Sequence, residues 1–386
     1  MKLAVGLMSG TSLDGVDTIL IEIEGSGETT KFKVIDFECY DLEASLKAKI
    51  IENMAIETSN IKAICSLNFE LGHVFAAAVQ NICKKNHIDT SELDYIASHG
   101  QTLYHLPKAE LPYFASTLQL GEPSIIAYRC KTKVVSGFRG MDMAAGGEGA
   151  PLVPYVDALL FRNAEKTVAL HNVGGIANTT ILKKAGSLED LLAFDTGPGN
   201  MIIDALCVHF YGEAYDREGA HAGDGRVNQS LLEAWLAMPF FKIKGPKSTG
   251  RELFGADFVA RIIEESKILK IEPDDLIATA TAFTAYSMAM AYSDLPYNVD
   301  EVIVCGGGAY NKTLLKYLSV ALPDTSVTTL EAHGSSSFAK EALAFAILGN
   351  ERLHGHPANV KSATGADAYV VLGSVTEGGL NVSTTL

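Results

Sequence analysis

Twice, from Leu3 and again from Thr167, the chain runs strand, glycine-bearing polar turn, returning strand, and then an α/β alternation. Leu3 to Leu7 is apolar, Ser9 to Gly15 reads S-G-T-S-L-D-G, and Val16 to Glu24 alternates as a second strand. Apolar alternation on both sides of a glycine turn predicts a β-hairpin. Lys31 to Tyr40 predicts a third strand, Ser45 to Asn53 and Asn60 to Lys85 have helical spacing, and Tyr95 to Ser98 predicts a short strand ending at His99-Gly100-Gln101-Thr102. Gly121 to Cys130 starts a helix with Glu122, Pro123 and Ser124 in its first turn. The second passage has strands at Thr167 to Asn172 and Asn178 to Leu182 around a Gly174-Gly175 turn, then an apolar run, Leu191 to Phe194, ending at Asp195-Thr196-Gly197-Pro198-Gly199-Asn200. Helices are expected at Met201 to Phe210, from about Asn311 to Val320, and at Phe338 to Leu348, with a strand at Val302 to Cys305. The halves share the order of their elements rather than their sequence, which suggests a duplicated α/β unit.

At 386 residues the chain is long enough for two or three domains and a large core without staples. A hydrophobic share of 47% excludes intrinsic disorder as the main state. The net charge of −15 argues against nucleic acid, which calls for a basic face. It leaves room for a small phosphate-bearing molecule, because glycine backbone and Mg²⁺ can hold one without surface charge. The six cysteines, Cys39, Cys65, Cys83, Cys130, Cys207 and Cys305, form no C-x-x-C pair, as expected of free thiols in a reducing compartment. The apolar N-terminal run is too short for a signal peptide. Leu276 to Tyr292 is uncharged but rich in Thr, Ser and Ala, which fits a buried helix better than a membrane span. The reading is a cytoplasmic protein with no membrane partner. Pro357 to Ala366 reads as a loop and Gly378 to Leu386 as a frayed tail.

Three places combine residue types that can do chemistry. In Gly10-Thr11-Ser12-Leu13-Asp14-Gly15, backbone N–H groups and hydroxyls could face phosphate oxygens with Asp14 near a metal, although a plain hairpin turn has the same composition. In Asp195-Thr196-Gly197-Pro198-Gly199, a carboxylate, a hydroxyl and two glycines sit between strand and helix, where ligands bind in α/β folds. A lone Asp there can merely cap a helix; the combination favours a catalytic or metal role. Gly306-Gly307-Gly308 lets a flat ligand approach the backbone. His99 with Thr102 and His105 lacks the spacing of a metal site, so a hydrogen-bonding histidine is expected. Gly146 to Pro151, following Arg139 and Asp142, suits a hinge, a substrate loop or an ordinary turn. No Walker loop, no G-x-G-x-x-G after the first strand and no G-x-S-x-G is present.

Seven segments together resemble the anhydro-N-acetylmuramic acid kinase family. They are G-L-M-S-G-T-S-L-D-G-V-D from Gly6 to Asp17, S-H-G-Q-T from Ser98, A-A-G-G-E-G-A-P-L-V-P from Ala144, N-V-G-G-I-A-N from Asn172, F-D-T-G-P-G-N from Phe194, P-K-S-T-G-R-E-L-F from Pro246 and C-G-G-G-A-Y-N from Cys305 to Asn311. They span nearly the whole chain, in order. The resemblance implies a two-domain, actin-like (ribonuclease H-like) sugar-kinase fold with an interdomain cleft. The expected domains are 1–130 with 360–386, and 131–359. It implies ATP and Mg²⁺ as cofactors. It implies an enzyme that opens 1,6-anhydro-N-acetylmuramic acid with water and phosphorylates its 6-hydroxyl, in cell-wall recycling. A homodimer is the family's usual state.

By the same resemblance Asp195 is the catalytic base. Gly10, Thr11, Ser12, Leu13, Asp14, Gly15, Val16 and Asp17 form the ATP phosphate turn, joined by Gly174, Gly175, Gly306, Gly307, Gly308 and Asn311 in nucleotide binding. His99, Thr102, Arg139 and Glu341 face the sugar, and Asp14 and Asp195 support the metal. Glu148 stands where the family is expected to carry glutamine. The competing readings are another small-molecule kinase of the same fold, or an Hsp70-like ATP-driven binding module; for the latter, the chain ends soon after Leu348 with no peptide-binding domain evident.

Overall fold

The computed structural model describes every residue except Thr11, Ser12, Asp14, Gly245, Pro246 and 379–386. The chain forms two compact units, Met1–Leu159 with Ala339–Leu386, and Leu160–Phe338. The described residues form strands β1 (Lys2–Ser9), β2 (Gly15–Glu24), β3 (Lys31–Asp41), β4 (Tyr95–Leu106), β5 (Ser116–Leu120), β6 (Val134–Ser136), β7 (Val168–Val173), β8 (Ile176–Leu182), β9 (Leu192–Pro198), β10 (Glu301–Cys305), β11 (Ser326–Thr329) and β12 (Ser374–Thr376).

The first unit's sheet has the order β12-β6-β4-β1-β2-β3, with β5 paired to β4. β1, β2 and β3 form an antiparallel meander, β4 runs parallel to β1, and β6 parallel to β4. The second unit's sheet has the order β11-β10-β7-β8-β9. Again three strands meander, β10 runs parallel to β7, and β11 parallel to β10. Five strands of each sheet, β6-β4-β1-β2-β3 and β11-β10-β7-β8-β9, share one order and one pattern of directions, which makes the duplication plain. This is the ribonuclease H-like unit of an actin-like α/β fold, present twice.

In the first unit, helix Lys340–His354 packs on β1, β2 and β4. The approach is so close that a methyl group at Gly6 would collide with the Ala342 carbonyl oxygen. Helix Ile61–Lys85 joins Leu7, Leu20 and Ile96 in one buried cluster through Leu71, Phe75, Val79 and Ile82. In the second unit, helix Pro273–Ser293 is buried along most of its length, including Thr279, Thr281, Thr284 and Ser287. Its Phe283, fully buried, lies 5.4 Å from Trp235, 5.5 Å from Phe241 and 6.1 Å from Phe254. Truncating a buried aromatic loses transfer free energy and leaves a void, so Phe283→Ala is expected to cost about 3–5 kcal/mol. Denaturant unfolding monitored by Trp235 fluorescence checks this; a loss under about 1 kcal/mol would show that the cluster is not a keystone.

Several boundaries differ from the expectation. β4 runs on to Leu106 because β5 pairs with its far half, so His99 to Thr102 lie inside the strand. β9 likewise continues to Pro198 along β8, so Asp195 is within a strand. The first unit takes in 131–159 and 339–359, which the sequence reading gave to the second domain. The reason is that helix Lys340–His354 covers the first sheet, and Tyr155 hydrogen-bonds Glu351 of that helix at 3.2 Å. Pro357 to Ala366 contains a short helix, Lys361–Thr364, and the expected frayed tail lies outside the described residues from 379 onward. No helix of the described residues is long and apolar enough to cross a membrane.

Candidate active site

In the first unit β4 carries two groups with separate tasks. His99 is buried, with Nδ1 2.8 Å from the Gly100 carbonyl oxygen. That carbonyl fixes the proton on Nδ1, so Nε2 accepts from Arg139, at 3.1 Å from Nε and 2.8 Å from Nη2. Burial, reinforced by the guanidinium, pushes the His99 pKa down to about 3, so the ring is neutral near pH 7. Arg139, in helix Phe138–Ala144, also donates from Nη1 to the Gly149 carbonyl at 2.8 Å. Phe345 packs on the other side of His99, with ring centres 4.6 Å apart.

Gln101, not among the expected site residues, ties the end of β1 to Gly10, where the expected phosphate turn begins. It is fully buried; its Oε1 accepts from Ser9 Oγ at 2.7 Å and its Nε2 donates to the Gly10 carbonyl at 3.2 Å. The signal was the Gln within S-H-G-Q-T, two residues beyond His99 on the same strand. Thr102 is half-buried, with Gln119 Nε2 3.4 Å from its hydroxyl. Of the expected phosphate turn, Thr11, Ser12 and Asp14 lie outside the described residues. Leu13 and Val16 point into the core, so only their backbone can serve a ligand. Gly15 starts β2, where a side chain would strike Cys39 and the Tyr40 carbonyl.

Glu341 is exposed in the first turn of helix Lys340–His354. Crowding by protein atoms nevertheless raises its carboxyl above the ordinary value, with Asp17 raising it further and Lys340 and Arg139 opposing. Lys340 pairs with the buried Asp157 at 3.0 Å. The glycine-rich loop is an ordered element, pinned by Asp142. That buried carboxylate accepts from Gly149 N–H at 2.9 Å, Asn359 Nδ2 at 2.9 Å and Thr364 Oγ1 at 2.8 Å. Glu148 pairs with Lys108 at 3.1 Å in an exposed ion pair. A cavity of about 450 Å³ opens beside His99, lined also by Ser98, Asn68 and Gln119. The buried Ser98 hydroxyl has no partner among the described residues.

In the second unit Asp195 stands opposite Asn178, which stands opposite Asn172 on β7. Residues directly opposite in a sheet share a face, so these three side chains form a row across β7, β8 and β9. Asp195 is half-buried, and one carboxylate oxygen accepts from Thr249 N–H at 2.9 Å. Its own N–H donates to the Lys247 carbonyl at 2.9 Å. Burial raises its pKa above the ordinary value, Thr249 opposes, and Glu252 adds to the rise. The Thr249 hydroxyl is buried beside this carboxylate, with no partner among the described residues. Asn172, Asn178 and Thr249 were legible only as members of motifs; pairing register was needed to bring them together.

Behind the row, the second hairpin turn meets the D-T-G-P-G-N turn. The Gly174 carbonyl accepts from Asn200 N–H at 2.7 Å and the Gly175 carbonyl from Gly199 N–H at 2.9 Å. Gly199 is glycine because a methyl there would overlap the Gly174 carbonyl oxygen. Gly306, Gly307 and Gly308 follow β10 and border Asn172, Val173 and Asn200. Asn311 caps helix Lys312–Ala321, its Oδ1 accepting from Leu314 N–H at 2.9 Å, so its side chain is engaged in the fold. Nearby, burial raises Asp204 to about 7, and Asp216 adds to the rise. No cluster of three or more His, Cys, Asp or Glu side chains suited to a metal occurs among the described residues.

The model of a protein family described as anhydro-N-acetylmuramic acid kinase matches residues 2–378. The chain is 47% identical to the anhydro-N-acetylmuramic acid kinase of Clostridioides difficile strain 630, covering 97% of this chain and 98% of that one. It is 49% identical to the protein of the same name from Bacillus cereus strain Q1, covering 96% and 98%. It is 48% identical to that of Francisella tularensis subsp. novicida strain U112, covering 97% and 98%.

Proposed function

The chain belongs to the anhydro-N-acetylmuramic acid kinase family, and on that premise we propose that Asp195 is the base of its reaction and that His99, Thr102, Arg139 and Glu341 receive the sugar. The function is the family's: ATP-dependent opening of 1,6-anhydro-N-acetylmuramic acid with phosphorylation of its 6-hydroxyl, giving N-acetylmuramic acid 6-phosphate and ADP in cell-wall recycling. The single observation behind the base assignment is the state of the Asp195 carboxylate. One oxygen is held by Thr249 N–H, while burial raises its proton affinity. A base needs that combination of fixed direction and raised basicity.

The anhydro bridge offers no free 6-hydroxyl, so the ring must open as phosphoryl transfer occurs. Asp195 takes the proton of a water that attacks the anomeric carbon from the face opposite the leaving oxygen, as in inverting glycosidases. The oxygen released at position 6 attacks the γ-phosphoryl group. On the sugar side, the neutral His99 holds Arg139 in place through Nε2, and Arg139 and Glu341 supply charge and hydrogen bonds to the ring substituents. The proposed phosphate turn is braced at Gly10 by Gln101, and in the Gly306 to Gly308 turn the exposed Gly307 offers its backbone to the nucleoside.

Mg²⁺ is part of the proposal. A hard dication takes oxygen ligands, and Asp195 stands in a row with two side-chain amides beside an unpartnered hydroxyl, an oxygen-rich set that fits one. Asp195 would support it from the second unit, the other expected ligand, Asp14, lies outside the described residues, and when bound with ATP the ion would neutralise charge on the phosphates. A cytoplasmic location is likewise proposed. So is a homodimer, supported by exposed Ile61, Phe69 and Tyr128 on the first unit.

The test is ADP release with the anhydro sugar, with N-acetylglucosamine, with a peptide mixture and with no acceptor, each with and without Mg²⁺. Release that needs the anhydro sugar and Mg²⁺ is expected. Equal release with N-acetylglucosamine would point to an ordinary hexosamine kinase, and stimulation by peptides alone to a binding module. If Asp195 is the base, kcat also falls on the acid side with a midpoint above the ordinary aspartate value, because only the ionised carboxylate accepts the proton. A flat kcat down to pH 4 would remove Asp195 from that role.

A further inference from the structure

The pairing of β8 with β9 breaks its register at one point. Ala177 stands opposite Gly197 and Asn178 opposite Asp195, which leaves Thr196 as an extra residue in β9. Such a bulge re-aims the neighbouring side chain, and the ladder does not fix the extra residue. Here a buried side-chain network does so. The Thr196 hydroxyl reaches the Ala177 carbonyl at 3.1 Å and His171 Nε2 at 2.9 Å. His171 Nδ1 meets the Tyr292 hydroxyl at 2.5 Å, and Tyr292 meets the Thr179 hydroxyl at 3.3 Å. His171, Thr179 and Thr196 are almost completely buried. The Ala177 carbonyl takes the Thr196 proton, so His171 Nε2–H donates to Thr196 and Nδ1 accepts from the Tyr292 hydroxyl, and both nitrogens of His171 are used.

We propose that His171, wedged between Tyr292 and Thr196, is a positioning residue for catalysis: it locks the β9 bulge and thereby aims the Asp195 carboxylate. The proposal rests on the reading of Asp195 as the base. Asp195 and Thr196 share one peptide plane, so fixing Thr196 fixes the backbone torsion that directs the Asp195 side chain. Tyr292 lies in the last turns of helix Pro273–Ser293, so the anchor is the buried helix and not a surface loop. A bulge freed from this anchor would let Asp195 drift from Thr249 N–H, and a displacement of about 1 Å at a reacting group costs on the order of 100-fold in rate.

The experiment compares His171→Leu, His171→Gln, Thr196→Val and Thr196→Ser with wild type and with Asp195→Asn, measuring kcat, KM for ATP and melting temperature. His171→Leu and Thr196→Val are expected to lower kcat roughly 10–100-fold with KM for ATP within about twofold. His171→Gln, whose amide can still reach Thr196, and Thr196→Ser, which keeps the hydroxyl, are expected to recover most of kcat. A purely structural network would lower the melting temperature of all four and leave kcat in place, and that result overturns the proposal. If His171→Leu does not fold, Thr196→Val against Thr196→Ser decides alone, and equal kcat in that pair overturns it. Asp195→Asn separates the two claims. If it retains turnover, the base assignment fails; if it is inactive while Thr196→Val is wild type, only the positioning claim fails.

Discussion

Asp195→Asn is expected to lower kcat by 10²–10⁴-fold, the usual contribution of a positioned general base, equivalent to about 3–5 kcal/mol of barrier. Asparagine keeps the size and can still accept from Thr249 N–H through its amide oxygen, so the local fold is retained. It cannot take a proton from water at neutral pH. ATP affinity should fall by far less than turnover, because the turns proposed to face the nucleotide are untouched and only the carboxylate's proposed share in holding Mg²⁺ is lost. Steady-state ADP release and equilibrium binding of a non-hydrolysable ATP analogue measure the two quantities separately. A parallel loss of affinity and turnover would mean that Asp195 acts mainly through nucleotide or metal binding. The melting temperature of the variant should hold or rise, because a carboxylate disfavoured by burial has been replaced by a neutral amide.

The second large effect concerns acid. His171 is neutral and fully buried, and burial pushes its pKa from 6.5 to about 3. The unfolded chain therefore binds a proton that the folded chain refuses across the window from about 6.5 to about 3. Stability is unpenalised above that window and falls as pH drops into it, by about 1.4 kcal/mol per unit for one such group. Relative to wild type, His171→Gln should gain roughly 2 kcal/mol between pH 7.5 and pH 5, whatever it costs at pH 7.5. Asp204 acts in the opposite sense. Its pKa, raised to about 7, makes the folded state the tighter proton binder between about 7 and the ordinary aspartate value of 3.8, so stability rises as pH falls through that window. The comparison of variant with wild type cancels this and isolates the histidine. Denaturant midpoints at both pH values read the difference, and one independent of pH would show that the folded His171 accepts its proton readily.

The duplicated hairpins were readable because glycine turns between alternating strands have a local cause. So was the burial of Leu276 to Tyr292, an uncharged run with acidic residues before it. The short strands β6, β11 and β12 carry three or four residues each, too few for a period to declare itself, and form only because a longer neighbour offers an edge. The domain assignment of 339–359 depended on which sheet a helix covers, which periodicity alone does not say. At the site, Asp195 and His99 stood out by residue type and place. Gln101, Thr249, His171 and the asparagine row did not, because their roles arise from register, from a bulge and from hydrogen bonds between distant segments.

The first unit is assembled from both ends of the chain, with the second unit inserted between. Helix Lys340–His354, which covers β1, β2 and β4, and β12, which pairs with β6, are both made after residue 338. On the ribosome, therefore, the first sheet waits with an apolar face uncovered while the whole inserted unit is synthesised. The inserted unit has all its strands in one continuous segment and can close first. The second sheet is thus expected to be complete before the first, although the first begins earlier in the chain. A chain stalled or cut before residue 340 would leave the β1–β2–β4 face in water, an aggregation-prone product for chaperones and proteases to clear.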